Sequence, residues 1–244
     1  MSNIYQGIVD QMFLEQYEER SGDGFLHPSS LSGCWRQAVY DASGTERTDA
    51  KDVRNIRIMG NGTAFHDKIQ AYMHRTYPGF LSEVEVECGP VIGSADGLLP
   101  TQEGYGYTVD AGAESPYTRY ELQEYKSISP MGKRYLKGRS KPEHVTQARV
   151  YAWALERQGY LIDGIRIVYF DRDDWSVEEF EVPAWAPEEA AVFESEMHSA
   201  EVHLEEGTLP DRLPLDEKGN RAWLCRYCQY QTRCYEVDGD NERG

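Results

Sequence analysis

The stretch Tyr117-Thr118-Arg119-Tyr120-Glu121-Leu122-Gln123-Glu124-Tyr125-Lys126-Ser127-Ile128 decides how the chain is read. It is rich in tyrosine and free of glycine and proline, which predicts a strand. Successive side chains of a strand point to opposite faces. Tyr120, Leu122, Glu124, Lys126 and Ile128 then share one face, while Arg119, Glu121, Gln123 and Tyr125 take the other. The first face is the apolar one, yet it carries a carboxylate and an ammonium. Charges aimed at a core are costly unless they are paired or bound to a metal. A buried ion pair meets that condition too, and Glu-x-Lys by itself is common. The surrounding sequence has to decide between them.

Immediately upstream, the period of two recurs at Val84 and Val86, from Val91 to Leu99 and from Tyr105 to Val109, so residues 80 to 127 read as successive strands. Ile92-Gly93-Ser94-Ala95-Asp96-Gly97 places a carboxylate among small residues, which leaves room for a hydrated cation. Asp96 and Glu124 are expected to meet on adjacent strands. Asp110, in Thr108-Val109-Asp110-Ala111, competes with Asp96 unless it belongs to a turn. His66 shares a helical face with Ile69 and Met73. Alone it reads as a core histidine, but beside two carboxylates it reads as a ligand. Oxygen donors with one imidazole suit Mg²⁺ or Mn²⁺. Downstream, Gln147 and Tyr151 are four apart on a helix and share a face with His144, Ala148 and Leu155. That is either amphipathic packing or a polar pair that positions Lys126 or a bound phosphate.

Further out, helices are expected over the first twenty residues, after Ser29-Ser30 (carrying Cys34, Arg36 and Tyr40), and from about Asp52 to Tyr77 with a break at Gly60-Asn61-Gly62. Others are expected from Pro142 to Gln158 and from Pro187 to Glu206, with a hairpin of Ile162 to Phe170 and Val177 to Val182 between them. This order indicates an α/β fold with a mixed central sheet. At 244 residues the chain fits one domain with appendages: a catalytic core over about 55–185, and a subdomain formed by about 25–50 and 207–236.

The net charge of −17 argues against a general polyanion binder. Its distribution matters more than its sum. Arg119 to Arg149 holds eight basic residues against three glutamates, a local +5, so the remainder carries −22. Lys133, Arg134, Lys137, Arg139 and Lys141 form the densest part of this island, which is either a solvated face or a focus for a polyanion. No run approaches the roughly 20 apolar residues of a membrane helix, and the first residues lack a secretory pattern. A soluble, intracellular protein without membrane partners is expected.

Four of the five cysteines form a pattern: Cys34 near the start, then Cys225, Cys228 and Cys234 spaced Cys-x2-Cys-x5-Cys. Three thiols within ten residues cannot all pair as disulfides without a fourth. Zinc is usually gripped by two close pairs, whereas one distant cysteine and a terminal trio suit an iron-sulfur cluster better; zinc stays the alternative. Either group would clamp the two ends of the chain together. Cys88, between Val86 and Pro90, reads as a small buried hydrophobe.

These motifs together resemble the RecB-type PD-(D/E)XK iron-sulfur exonucleases, a family that includes the fourth CRISPR-associated protein and bacteriophage relatives. Leu31-Ser32-Gly33-Cys34-Trp35-Arg36 to Tyr40 is similar to its first cysteine motif and Gly62-Thr63-Ala64-Phe65-His66 to its histidine motif. Gly93 to Asp96, Glu124-Tyr125-Lys126-Ser127, Gln147 to Tyr151 and the terminal trio follow in the family's order, over nearly the whole chain. The resemblance implies a restriction-endonuclease-like core with an iron-sulfur clasp, and a [4Fe-4S] cluster on Cys34, Cys225, Cys228 and Cys234. It implies Mg²⁺ or Mn²⁺ held by His66, Asp96, Glu124 and the Tyr125 carbonyl, with Lys126, Gln147 and Tyr151 completing the catalytic set. The activity implied is exonuclease action on DNA, typically single strands, in prokaryotic or phage recombination, replication or processing, in the cytoplasm of a bacterium or infected host. A departure is the tyrosine- and glycine-rich stretch from Thr101 to Pro116, which the family pattern lacks. Two other readings remain: a weakly active nuclease-fold partner of a CRISPR integrase or recombination complex, and a zinc-stabilised DNA-binding module without catalysis.

Overall fold

A computed structural model describes residues 4–17, 22–49, 51–108 and 113–238. Asp110, the competitor for the aspartate role, lies outside the described residues. Two compact units make up the chain: residues 64–192 form one, and residues 1–63 with 193–244 form the other.

The first of these is built on a five-stranded sheet in the order β1 (Leu81–Cys88), β2 (Val91–Thr108), β3 (Ala113–Ile128), β4 (Leu161–Asp171), β5 (Val177–Val182). β1, β2 and β3 run antiparallel in sequence, β3 and β4 are parallel, and β4 and β5 form an antiparallel hairpin. A parallel pair cannot be closed by a tight turn. Two helices supply the crossover, α5 (Pro130–Leu136) and α6 (Pro142–Arg157). The Ser129 side chain caps α5 by accepting the Gly132 N–H, Pro130 takes the first turn, and Lys137 ends it in the left-handed conformation. The segment from Lys133 to Arg139, in the densest part of the basic island, is thus partly helical.

β3 separates two layers. Leu122, Glu124 and Lys126 pair in register with Ile165, Ile167 and Tyr169 of β4, on the face covered by α6. Tyr125 and its neighbours Val168 and Phe170 look the other way and pack against Phe65 and Ile69. Leu98, Leu122, Leu155 and Ile167 are fully enclosed. Each such side chain contributes about 1.5–3 kcal/mol of apolar burial.

Three local expectations change. The helix carrying His66, α4 (Val53–Thr76), runs unbroken through Gly60-Asn61-Gly62. A glycine inside a helix costs only about 1 kcal/mol, which packing on either side of it outweighs. The strands expected at Val91 to Leu99 and Tyr105 to Val109 are one 18-residue strand with an irregularity between Pro100 and Gln102. The unusual stretch after Thr101 therefore extends the β2–β3 hairpin. Cys88 closes β1 half-buried and is not enclosed.

The other unit contains α1 (Ile4–Gln16), the short α2 (Pro28–Leu31) and α3 (Trp35–Ala42), so the single helix expected after Ser29 is two pieces that break at Cys34. α7 (Pro187–Glu206) leads back into it, followed by a 3-10 turn at Trp223–Tyr227 and a π-helical turn at Arg233–Val237. Among the described residues no helix is long and apolar enough to cross a membrane.

Gly97 tests how tightly β2 is set. A Cβ there would lie 2.7 Å from the buried Phe80 ring and 3.4 Å from Tyr125 Oη. Gly97→Ala should lose about 1–3 kcal/mol of stability by overpacking, read by chemical denaturation; an unchanged midpoint would show that the ring yields.

Candidate active site

β2 and β3 stay paired, with the one irregularity at Pro100/Gln102, up to Gly97 opposite Gln123 and then part. At the parting, the Tyr125 N–H donates to Asp96 Oδ2 at 2.7 Å, so a side-chain carboxylate takes the place of a backbone carbonyl. Asp96 Oδ1 lies 3.4 Å from His66 Nδ1, which α4 brings over the same edge. Burial opposes charge on His66, but the Asp96 carboxylate prevails and lifts its pKa above the ordinary value.

On the α6 side of β3, Lys126 Nζ donates to Glu124 Oε1 at 2.6 Å and to Gln147 Oε1 at 3.1 Å. Glu124 is 1% exposed. Its second oxygen, Oε2, is enclosed with no hydrogen-bond partner among the described residues. Burial pushes the Glu124 carboxyl up to about 7, against the pull of Lys126. Burial also opposes the ammonium of Lys126, but Glu124 and Asp96 hold it charged. An anion half-satisfied by an ammonium and otherwise unsolvated is a poor structural pair and a good cation ligand. The donor set therefore fits a hard divalent ion.

Around this pair the structure gathers His66, Asp96, Glu124, Lys126 and Gln147. Tyr151 is buried on α6 one turn beyond Gln147. His144 contacts Tyr169: the Lys141 N–H donates to Tyr169 Oη at 3.1 Å, and that hydroxyl lies 2.8 Å from His144 Nδ1. A hydroxyl that already accepts one hydrogen bond has its own proton to give, which a neutral imidazole accepts. Burial, reinforced by Lys126 and Lys141, lowers the His144 pKa to about 3.

The basic island splits. Arg119 pairs with Asp163 and Arg149 with Glu189, so both are occupied. Lys133 donates to Ser176. Arg134, Lys137 and Arg139 are exposed without an ion pair among the described residues, and Lys141 is half-buried at the start of α6.

Sequence periodicity passed over two polar residues. Gln70 on α4, 7% exposed, donates through Nε2 to Glu83 Oε1 at 2.6 Å and to the Asp96 carbonyl at 2.9 Å. Glu83 also accepts from Ser94 Oγ at 2.7 Å and has a left-handed φ of 48°. Beside Val84 and Val86 it reads as an ordinary solvent-side residue, and only strand register brings it to Asp96.

In the other unit, Cys34, Cys225, Cys228 and Cys234 line one cavity with Arg36, Arg212 and Tyr235 among its neighbours. None of the four is in a disulfide. Cys34 caps α3, Cys225 sits in the 3-10 turn that Cys228 ends, and Cys234 lies in the π-helical turn. Burial, with the charges of Cys34, Cys225 and Cys234 added, pushes the Cys228 thiol up to about 11. Burial and the neighbouring sulfurs raise Cys34 as well. Sulfurs so placed repel one another once ionised, and a thiolate-bound metal group removes that repulsion.

A mixed sheet whose central strand carries Glu-x-Lys, with an aspartate on the neighbouring strand, defines a nuclease class that works with divalent metal. The comparison with known families agrees. The PD-(D/E)XK nuclease superfamily matches residues 108–235, which is over half of the chain, and the chain belongs to that superfamily. The matched span contains Glu124, Lys126, Gln147 and the terminal cysteines, while Cys34, His66 and Asp96 precede it. A solved structure described as "Crystal structure of SSO0001" is similar at a TM-score of 0.55 and 16% identity, over 96% of this chain and 98% of that one. At that identity the likeness is one of fold. No curated protein matches the chain.

His144 provides a pH test. A histidine whose folded pKa falls below its unfolded value contributes stability that is complete above about pH 6.5 and lost as pH falls toward about 3. Between about pH 6.5 and 4 the native protein should lose roughly 2–3 kcal/mol more than His144→Gln. Parallel stability curves from urea titrations would contradict a buried neutral histidine.

Proposed function

We propose that the chain is a divalent-metal-dependent exonuclease that hydrolyses phosphodiester bonds of DNA from single-stranded ends. The observation that carries this reading is the enclosed, half-satisfied Glu124 beside Lys126, next to the His66–Asp96 pair where β2 leaves β3. His66, Asp96, Glu124 and the Tyr125 carbonyl would hold Mg²⁺ or Mn²⁺. A bound ion of this kind polarises the scissile phosphate and lowers the pKa of attacking water.

The chain's own groups do the rest. Asp96 is locked by the Tyr125 N–H, so its free lone pairs keep one direction. Lys126, held between Glu124 and Gln147, presents its ammonium to the charge that develops on the phosphoryl oxygens. Tyr151, one turn from Gln147, backs this arrangement. Arg134, Lys137 and Arg139, with Lys133 and Lys141, would follow the backbone of a strand, and the exposed Tyr135 offers a stacking surface for an unpaired base.

Cys34, Cys225, Cys228 and Cys234 are proposed to hold a [4Fe-4S] cluster with a structural role. Support comes from four sulfurs, drawn from both ends of the chain, lining one cavity. The biological setting proposed is prokaryotic or phage DNA recombination, replication or processing, with a recombination or CRISPR-adaptation protein as partner.

Two experiments test these assignments. Lys126→Ala should lose on the order of 10²–10³-fold in Mn²⁺-dependent cleavage, measured on strands labelled separately at each end, while keeping the cluster's visible absorbance; full activity in that variant would sink the assignment. Cys228→Ala should lose iron and that absorbance in anaerobically purified protein. Zinc without iron in the unaltered chain would replace the cluster with a structural zinc site.

A further inference from the structure

We propose that Glu83 is a metal ligand: Glu83, His66 and Asp96 hold one divalent cation, and Asp96, Glu124 and the Tyr125 carbonyl hold a second, so that with two ions bound His66 serves the Glu83 ion and Asp96 alone is shared. The inference rests on the metal-dependent reading of Asp96 given above and adds a donor from a strand that none of the motifs reaches.

Register brings the residue there. Ser82 pairs with Gly97 and Val84 with Ala95, which puts Glu83 and Asp96 at matching positions between those two pairs. Two like charges facing each other across antiparallel strands destabilise the pair unless something neutralises them. Neither has a lysine or arginine as an ion-pair partner among the described residues; the one ion pair of Asp96 is with His66. Ligand atoms of His66, Glu83 and Asp96 all lie within 4.8 Å of one another, a spacing that one ion can span.

Hydrogen bonding fixes the carboxylate without saturating it. Gln70 Nε2 binds Glu83 Oε1 and the Asp96 carbonyl, which ties the two acidic positions to one amide. Ser94 Oγ binds Glu83 Oε2. A carboxylate oxygen accepts twice, so each retains a lone pair for a metal.

A separate observation indicates that positive charge belongs at this centre. Glu124 Oε2 is enclosed without a hydrogen-bond partner among the described residues, although Lys126 occupies Oε1. One ion bound between Asp96 and Glu124 would answer that oxygen, yet it would leave the Glu83–Asp96 repulsion standing. Two ions sharing a carboxylate answer both, as in centres that clamp the attacking and leaving oxygens of a phosphoryl group.

The test is the Mn²⁺ stoichiometry of the full chain, followed by electron paramagnetic resonance and calorimetric titration, with no substrate present. The unaltered protein should bind two Mn²⁺ with spin coupling between them. Glu83→Gln should bind one, with affinity for the second at least tenfold weaker, and Glu83→Asp should recover part of it. Asp96→Asn should lose both. Because Glu83 is exposed and Glu83→Gln removes a facing like charge, the metal-free variant should melt no lower than the unaltered protein. Two ions retained in Glu83→Gln, or one ion in both proteins, would overturn the role of Glu83 while leaving the Asp96 centre standing. No binding by the unaltered chain would overturn the metal reading itself.

Discussion

The five-stranded sheet is organised around one enclosed carboxylate and one partly buried ammonium on the same face of β3. Moving such charges out of water costs several kcal/mol each after relaxation, and their attraction returns that only when the remaining hydrogen-bonding capacity is filled. Here Glu124 and Gln147 take two of the three donors of Lys126, while Glu124 Oε2 is left open. Hydrocarbon of similar volume would stabilise the sheet better at this spot. The pair is therefore understandable as a site kept at the expense of stability, and α6, which carries Gln147 and covers this face, completes it.

The second constraint is the divergence of β2 from β3. A strand that stayed paired would use the Tyr125 N–H in the ladder and leave the Asp96 side chain unanchored. Parting after Gly97 gives that N–H to the carboxylate and holds Asp96 against the strand bearing Glu124. Gly97 makes the parting sterically feasible, because Phe80 occupies the space a side chain would need. Phe80 and the Tyr125 ring thus shape the acidic corner from its apolar side.

How much of this could be read in sequence follows from which physical signal each residue leaves. Glu124 and Lys126 break a period of two, and a charged break in an apolar pattern is visible in one dimension. Cys34 and the terminal trio are visible because thiols are few and their spacing restricts what they can bind. Asp96 stands out in the sequence through its small neighbours. Glu83 and Gln70 left no such mark: the first looks like any solvent-facing residue of an edge strand, and the second lies on a helix in a sequence that does not announce its buried face. Their placement beside Asp96 depends on register and on helix position, which are tertiary properties. The unbroken α4 and the long β2 were missed for a related reason, since glycine and proline punctuate local propensity while packing decides whether the element continues.

The two donor sets share a physical logic despite their different chemistry. The chain is strongly anionic, yet among its described carboxylates only Glu124 and Asp171 are buried. Burial drives the Cys228 thiol and the Glu124 carboxyl toward their neutral forms, and neighbouring anions add to the effect in both places. A cation reverses this in each case, so metal binding and stability are linked: protons leave as the ion enters, and the folded state gains what the binding releases. On the functional reading proposed, softness sorts the two ions, thiolates taking iron and the oxygen-rich corner taking Mg²⁺ or Mn²⁺. The exposed arginines of the α5 segment carry no ion-pair partner among the described residues, which leaves them available to an external polyanion. An acidic protein can in this way hold a phosphate backbone at one place: locally by a basic segment, and at the reacting bond by ions that its own carboxylates recruit.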